Sequence, residues 1–252
     1  MLRAALMRAC GLADTGGMPK GISLGTGFRS VAAVAGALCA LAAPAAASVP
    51  PDRLVSSALA AARAQRSVHY VTAAVSSTVS VRMVGDAALD RGIQRITYRK
   101  AGKSGHVTVL VVANTAYVRG EAFALVNYMA FSHAEATRFA GRWIKVAPTA
   151  RWYPTLSAAV RLRSTIKEII TLPRPRIALP ESVLNGQRVI GIRNTSMASG
   201  HRVTRTLYVR AAGLRLPVAE VTSESGTRIS VAFSKWNQPV NVSAPTGATP
   251  IS

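Results

Sequence analysis

Residues that support catalysis or metal binding are sparse and scattered in this sequence. The four histidines show none of the close helical or strand spacings that metal ligands usually have. They are His69, His106, His133 and His201. No serine lies in a G-x-S-x-G nucleophile turn, and Glu168 and Glu181 are isolated carboxylates rather than an acid–base pair. The sequence therefore predicts no catalytic residues, no metal site and no cofactor.

Basic side chains are concentrated between residues 142 and 176, where Trp143, Trp152 and Tyr153 are interleaved with them. Such a mixture can form a nucleic-acid platform. Residues 1–47 have the layout of a secretory signal, and an exported protein seldom meets nucleic acid. We therefore expect no nucleic-acid partner and favour anionic lipid, acidic glycan or a polyanionic wall. The alternative is an ordinary solvated helix face. The predicted anionic-surface residues are Arg142, Lys145, Arg161, Arg163 and Lys167.

Large apolar side chains form a second notable group, between residues 121 and 140. Two interpretations stay open: packing against a sheet, or an adaptable Met and aromatic lining around an acyl chain. Under the second interpretation the cavity would be lined by Val109, Val111, Tyr117, Phe123, Leu125, Met129, Phe131, Leu156 and Val160.

Helical periodicity is confined to three stretches. Residues 53–62 carry one apolar stripe and have Asp52 as a capping residue. The stretch Glu121 to Ala140 predicts a helix broken near Phe131 to His133. A further helix is predicted from Thr155 to just before Pro173.

Most of the remaining chain alternates between apolar and polar residues, which is typical of antiparallel strands with one wet face. Asn185-Gly186 predicts a tight hairpin, and Pro239 to Pro245 is interpreted as an edge segment. The prediction is an α+β protein in which about nine to eleven antiparallel strands bury one face under the helices.

The N-terminal 47 residues have the layout of a secretory signal. Val31 to Ala43 is continuously apolar, follows basic residues, and runs into small residues that suit cleavage near Ala47. Met18 is an alternative start, and residues 48–252 are expected to form a single domain. Cys39 lacks the small and aliphatic neighbours of a lipid-acceptor cysteine, so we expect free secretion to the cell envelope rather than anchoring.

The formal net charge of the chain is +21 at pH 7. A charge of this size favours anionic surfaces and opposes self-association, so we expect a monomer. The sequence has two cysteines, and both precede the expected cleavage point, which excludes a disulfide or thiolate metal site from the mature domain.

Several short segments resemble the LolA-like superfamily, especially the secreted actinobacterial branch related to the lipid-carrying lipoproteins LppX and LprG. These segments are Ser67 to Tyr70, Val111 to Gly120, Ala140 to Val146, Asn185 to Val189, Leu207 to Val209 with Gly213 and Leu216-Pro217, and Phe233 to Val240. The resemblance implies a strongly curved antiparallel half-barrel whose concave side is plugged by helices. It also implies an apolar cavity that shields lipid or acyl groups in transit, without catalysis.

Three functions follow as hypotheses. The first is a non-enzymatic carrier of a lipid or acylated molecule in the bacterial cell envelope. The second is an envelope sensor or interaction module with the same fold. The third is a basic cell-wall binder that acts through the surface from Arg142 to Arg176.

Overall fold

The structure is a computed structural model that describes residues 49–170, 172–198 and 200–251, with backbone alone at residues 168–170. The predicted signal segment, including Met18 and Cys39, lies outside these residues, as do the side chains of Ile169 and Ile170. In the part of the chain that is described, no helix combines the length and the apolar character needed to cross a bilayer.

Twelve strands form a single open sheet in the order β12-β6-β5-β4-β3-β2-β1-β11-β10-β9-β8-β7. The strands are β1 Ser67–Val75, β2 Val79–Ala88, β3 Arg91–Lys100, β4 Lys103–Val112, β5 Thr115–Gly120, β6 Ile144–Val146, β7 Ile177–Leu184, β8 Gln187–Ala198, β9 His201–Arg210, β10 Pro217–Glu224, β11 Thr227–Ser234 and β12 Thr249–Ile251. The sheet is antiparallel except for the parallel pairing of β12 with β6. The predicted α+β fold with a curved half-barrel is confirmed.

Tight turns join most consecutive strands. Asn185 and Gly186 both have positive φ angles at the β7–β8 turn, as the hairpin signal predicted. The alternation from Ser67 to Met83 predicts a single strand, but the structure divides this stretch into β1 and β2, because residues 76–78 turn the chain back. The Ser76 backbone N–H closes this turn on the Val79 carbonyl at 2.9 Å.

The first helix, α1, spans Pro51–Arg63 and buries Leu54, Val55, Ala58 and Ala62. Its N-cap residue is Pro50, so the prediction that Asp52 caps it is wrong. Asp52 lies in the first turn, where its carboxylate binds Arg174 and Arg176 at 2.8 Å each. These ion pairs hold the connector between the last helix and β7 against α1.

Two short helices, α2 Ala122–Asn127 and α3 His133–Phe139, replace the predicted long helical stretch and confirm its break. A capping box starts α3: Ser132 accepts a hydrogen bond from the Glu135 backbone N–H, and Glu135 accepts one from the Ser132 N–H.

The predicted helix after Thr155 is also two helices, α4 Tyr153–Val160 and α5 Leu162–Ile170. Arg161 separates them with extended backbone angles (φ −97°, ψ 127°) and forms an isolated parallel bridge with Ala88. The break lets α4 cover β2–β5 while α5 packs against α1.

Two apolar clusters fill the concave side of the sheet. The first cluster joins β1–β6 and β11 to α2, α3 and α4, and the second joins α1 and α5 to β1, β8, β9 and β11. The helices therefore cover both halves of the concave face. Helix α4 contacts β2–β5, and helix α1 contacts β8.

The C-terminal segment, residues 235–248, crosses the convex side of the sheet. It leaves β11 and reaches the far edge at β6, so it must pass over the strands between them. It forms a cleft with Ser67, His69, Asp86, Ile93 and Arg95, which include convex-side residues of three strands. The edge strand is β12, so the prediction that Pro239 to Pro245 forms an edge segment is wrong.

Candidate ligand site on the concave face

Most of the predicted cavity residues meet in one place. The first cluster contains Val109, Val111, Leu125, Phe131, Leu156 and Val160, all buried, and Phe123 and Met129 are partly buried against it. Strands β4 and β5 contribute through alternate residues that point to the concave side. The region is packed with side chains from three short helices, so these residues form the apolar wall between sheet and helices.

Tyr117 does not lie with this group. It pairs with Leu110 across the β4–β5 ladder, whereas Val109 and Val111 pair with Val118 and Ala116. Because successive strand residues point to opposite faces, Tyr117 and Leu110 lie on the convex side. There both are buried, in the path of the C-terminal segment.

Glycines let α2 approach β4 closely. A methyl group at Gly105 would lie 3.1 Å from the Phe123 ring and 3.0 Å from the Ala124 methyl group. Tyr98 lies beneath this contact, with its ring 6.0 Å from that of Phe123 and 5.8 Å from that of Tyr128. Burial raises the pKa of the Tyr128 phenol above its ordinary value of 10.0.

A buried polar network connects the sheet to α4. Gln94 donates to the Tyr70 hydroxyl at 2.9 Å, and Tyr70 donates to the Ala159 carbonyl at 2.8 Å. Gly85 makes room for the tyrosine, since a Cβ there would lie 2.3 Å from Tyr70 Cζ. The network fixes the position of α4 between the two apolar clusters.

Strands β9 and β10 carry a buried ion pair on the concave side that was not predicted from the sequence. Arg205 donates to Glu220 Oε1 through Nε at 3.0 Å and Nη2 at 2.9 Å, and Thr222 donates to the same oxygen at 3.3 Å. Both charged side chains are more than nine-tenths buried. The alternation on β9 contained the signal, because Arg205 shares a face with Val203 and Leu207.

Asn194 extends this polar row onto β8, where it pairs with Arg205 in the strand register. Its amide nitrogen donates to the Pro175 carbonyl at 2.9 Å. Its Oδ1 is buried and has no hydrogen-bond partner among the described residues, and the same holds for the Thr72 hydroxyl on β1. A buried acceptor without a donor is costly, so this row can accept hydrogen bonds from a polar ligand group.

The predicted anionic-surface residues are not brought together. Lys145 pairs with Tyr117 and is exposed on the convex side, whereas exposed Arg163 and Lys167 lie on α5, on the concave side. Arg142 is exposed in the turn before β6. The Arg161 guanidinium is half-buried and donates to Ala113 O, Asn114 Oδ1 and Tyr153 Oη at 2.9–3.2 Å.

Among residues 49–170, 172–198 and 200–251, no group of three or more metal-ligating side chains comes together. His69 contacts Asp86 at 2.7 Å on the convex side, and His106 contacts Thr97 at 3.2 Å.

An open, curved twelve-stranded sheet with helices on its concave side is the architecture of a LolA-like half-barrel. Known structures share it. The crystal structure of LprF from Mycobacterium bovis matches with a TM-score of 0.52 and 14% sequence identity, over 78% of this chain and 97% of that chain.

Two other solved structures match less well. The lipoprotein LppX of Mycobacterium tuberculosis has a TM-score of 0.48 at 15% identity, over 76% of this chain and 99% of that one. An uncharacterized conserved protein from Thermus thermophilus has a TM-score of 0.40 at 8% identity, over 79% and 97%. No family model and no curated protein matches the chain. The likeness to LprF shows a common fold.

Proposed function

We propose that this protein is an exported, non-enzymatic carrier of a lipid or acylated molecule in the bacterial cell envelope. The observation that carries the proposal is the large apolar concave face, which α2, α3 and α4 cover over β2–β5 and which α1 and α5 cover towards β8. An acyl chain would lie on this face, in contact with the sheet and beneath the helices.

The energetics favour such a site without any catalytic group. An acyl chain gains about 0.8 kcal/mol for each methylene removed from water, so a modest apolar surface holds a chain firmly. The wall from Val109 and Val111 to Leu156 and Val160 would supply part of this surface.

Access would come from movement of the covers. Helices α2 and α3 have six and seven residues. Helices this short are not stable by themselves and depend on tertiary packing. We expect a ligand to displace the segment from Phe123 to Phe131 and to replace its apolar contacts with those of an acyl chain.

The polar end of the ligand would lie at the row formed by Asn194, Arg205 and Glu220. The amide nitrogen of Asn194 donates to the Pro175 carbonyl, and the amide oxygen of Asn194 has no donor among the described residues. This oxygen would accept a hydrogen bond from a ligand group such as a lipid hydroxyl. The signal-like N-terminal segment and the fold shared with LprF support an envelope role.

The test is the lipid content of the purified protein. The chain is produced in its natural export route, extracted with organic solvent and analysed by mass spectrometry, and binding of a fluorescent fatty acid is titrated in parallel. We expect a co-purified lipid and saturable probe binding. Absence of both contradicts the proposal, and a stoichiometric protein partner without lipid would instead favour an interaction module.

A matched pair of variants locates the site. Asn194→Leu removes the free amide oxygen on the concave side, whereas Thr195→Leu places the same side chain on the exposed convex side of β8. Loss of one neutral hydrogen bond should weaken binding of a hydroxylated lipid by about three- to tenfold in the first variant only. Equal affinities of the two variants would contradict this placement.

A further inference from the structure

One rim of the sheet combines unpaired cations with partly exposed apolar side chains. The tips of the β1–β2 and β3–β4 hairpins enclose a cleft of about 540 Å³, lined by residues 76–80 and 99–104. Its cations are Arg99, Lys100 and Lys103, which we call the basic rim. The other polar side chains that line the cleft are serine and threonine hydroxyls, and none of the lining residues is acidic.

The basic rim is electrostatically unfavourable in the protein alone. Lys100 and Lys103 stand directly opposite each other in the β3–β4 ladder. Like charges in this position destabilise a hairpin. All three cations are exposed, and none forms an ion pair with a residue that the structure describes. An external anion would relieve this repulsion.

Apolar side chains border the same rim. Phe123, Tyr128 and Met129 of the α2 region are partly exposed. Phe123 and Tyr128 contact Tyr98, which by strand alternation shares the concave side with Lys100 and Lys103. Surfaces that pair basic side chains with aromatic and Met side chains bind the interface of anionic membranes. The hydroxyls of Ser80 and Ser104, which flank Arg99 in the sheet, suit phosphate oxygens.

We propose that this rim docks on an anionic phospholipid bilayer, with the phosphate head groups in the cleft and the α2 side chains at the interface. The inference rests on the proposed carrier function, because it turns the movable α2–α3 cover toward the membrane that would donate or accept the lipid. A nucleic acid fits less well, since no aromatic side chain lines the cleft for base stacking.

The test is co-sedimentation with phosphatidylcholine vesicles that contain about one-third phosphatidylglycerol, at low and high salt. The rim variant is R99Q/K100Q/K103Q. The control R53Q/R63Q/R66Q removes the same charge from exposed positions on α1 and in the loop before β1. We expect the rim variant to bind the vesicles about 100-fold more weakly than wild type. The control should bind them less than about tenfold more weakly than wild type. Denaturation curves verify that both variants are folded.

Four outcomes would overturn the inference: no binding of wild type to anionic vesicles, equal loss in both variants, binding that high salt leaves unchanged, or tighter binding to single-stranded DNA than to vesicles. The lipid content of the same preparation separates the two proposals. Lipid without vesicle binding defeats only the docking inference, whereas vesicle binding without lipid defeats only the carrier function.

Discussion

At the scale of single residues, the concave face owes its character to a few polar groups set among apolar ones. Arg205 and Glu220 are nearly fully buried, although Leu207 and Val231 stand beside Glu220 in the ladder. A buried ion pair seldom adds much net stability, but removal of one partner leaves an uncompensated charge. The pair therefore constrains what can occupy the concave side of β9 and β10.

Arg205→Met should lower the free energy of unfolding by about 3–5 kcal/mol, because the Glu220 carboxylate would stay buried without its guanidinium. The double variant R205M/E220L should recover most of this loss. Arg202→Met, an exposed position on the same strand, should change stability by less than about 0.5 kcal/mol. Urea denaturation measures all three, and a double variant as unstable as the single one would contradict the argument.

Tyr128 should make the protein sensitive to alkali. Its folded-state pKa is raised above the unfolded value of 10.0, so the protonated phenol is favoured in the native state. Stability is therefore complete below about pH 10 and falls as the pH rises further. Tyr128→Phe should reduce this decline, seen as a smaller difference in unfolding free energy between pH 9 and pH 11. Tyr208→Phe is the control. If the unfolding free energy fell equally between pH 9 and pH 11 in the wild type and in both variants, the prediction would be contradicted.

At the scale of elements, the helical covers are short and depend on local signals at their ends. The capping box of α3 lowers the pKa of Glu135, because Ser132 donates hydrogen bonds to its carboxylate. This contribution is present above the ordinary carboxyl pKa and is lost as the pH falls through the lowered one. The start of α3 is thus fixed by sequence neighbours rather than by the sheet.

Ser132→Ala should destabilise the protein by about 1 kcal/mol, since the Glu135 backbone N–H loses its acceptor. It should also speed amide exchange in α3 more than in α1. Ser57→Ala, an exposed helix-interior change in α1, serves as the control and should have little effect. Hydrogen exchange followed by mass spectrometry measures both, and uniform exchange in the two helices would contradict the prediction.

At the scale of the whole molecule, the C-terminal segment holds the convex side together. Asn237 and Gln238 bind its start to β1: Arg66 N–H donates to Asn237 Oδ1 at 2.7 Å, and the Ser67 hydroxyl donates to the Gln238 carbonyl. Its end is held at the far edge, where the Thr249 N–H donates to the Trp143 carbonyl at 2.9 Å. The segment therefore links the two halves of an open sheet.

Truncation after Gln238 should expose Leu110 and Tyr117 and cost about 3–5 kcal/mol of unfolding free energy, by the usual value for two large buried side chains. Truncation after Ala248 removes β12 but keeps the crossing segment, and it should cost clearly less. Thermal and urea denaturation compare the two proteins. Equal losses would mean that the edge pairing, not the covered convex side, carries the stabilisation.

Local patterns in the sequence were enough to predict the class of fold. The two-residue alternation typical of antiparallel strands, the Asn185-Gly186 turn and the helical break near Ser132 follow from steric preferences of neighbouring residues, and the structure has each of them. The apolar grouping of Val109 and Val111 with Leu125 and Val160 was predictable for a similar reason, because strand alternation sets the face of the two valines and helical periodicity sets the buried side of the helices.

Tertiary structure alone decided the features that join distant parts of the chain. It placed Tyr117 on the convex side, which a segment far along the sequence crosses, paired Arg205 with Glu220, and put Lys145 and Arg163 on opposite sides of the sheet. It also brought the two hairpin tips together beside α2. No pattern of neighbouring residues encodes these contacts, because they depend on strand order and register, which are fixed only when the whole sheet forms.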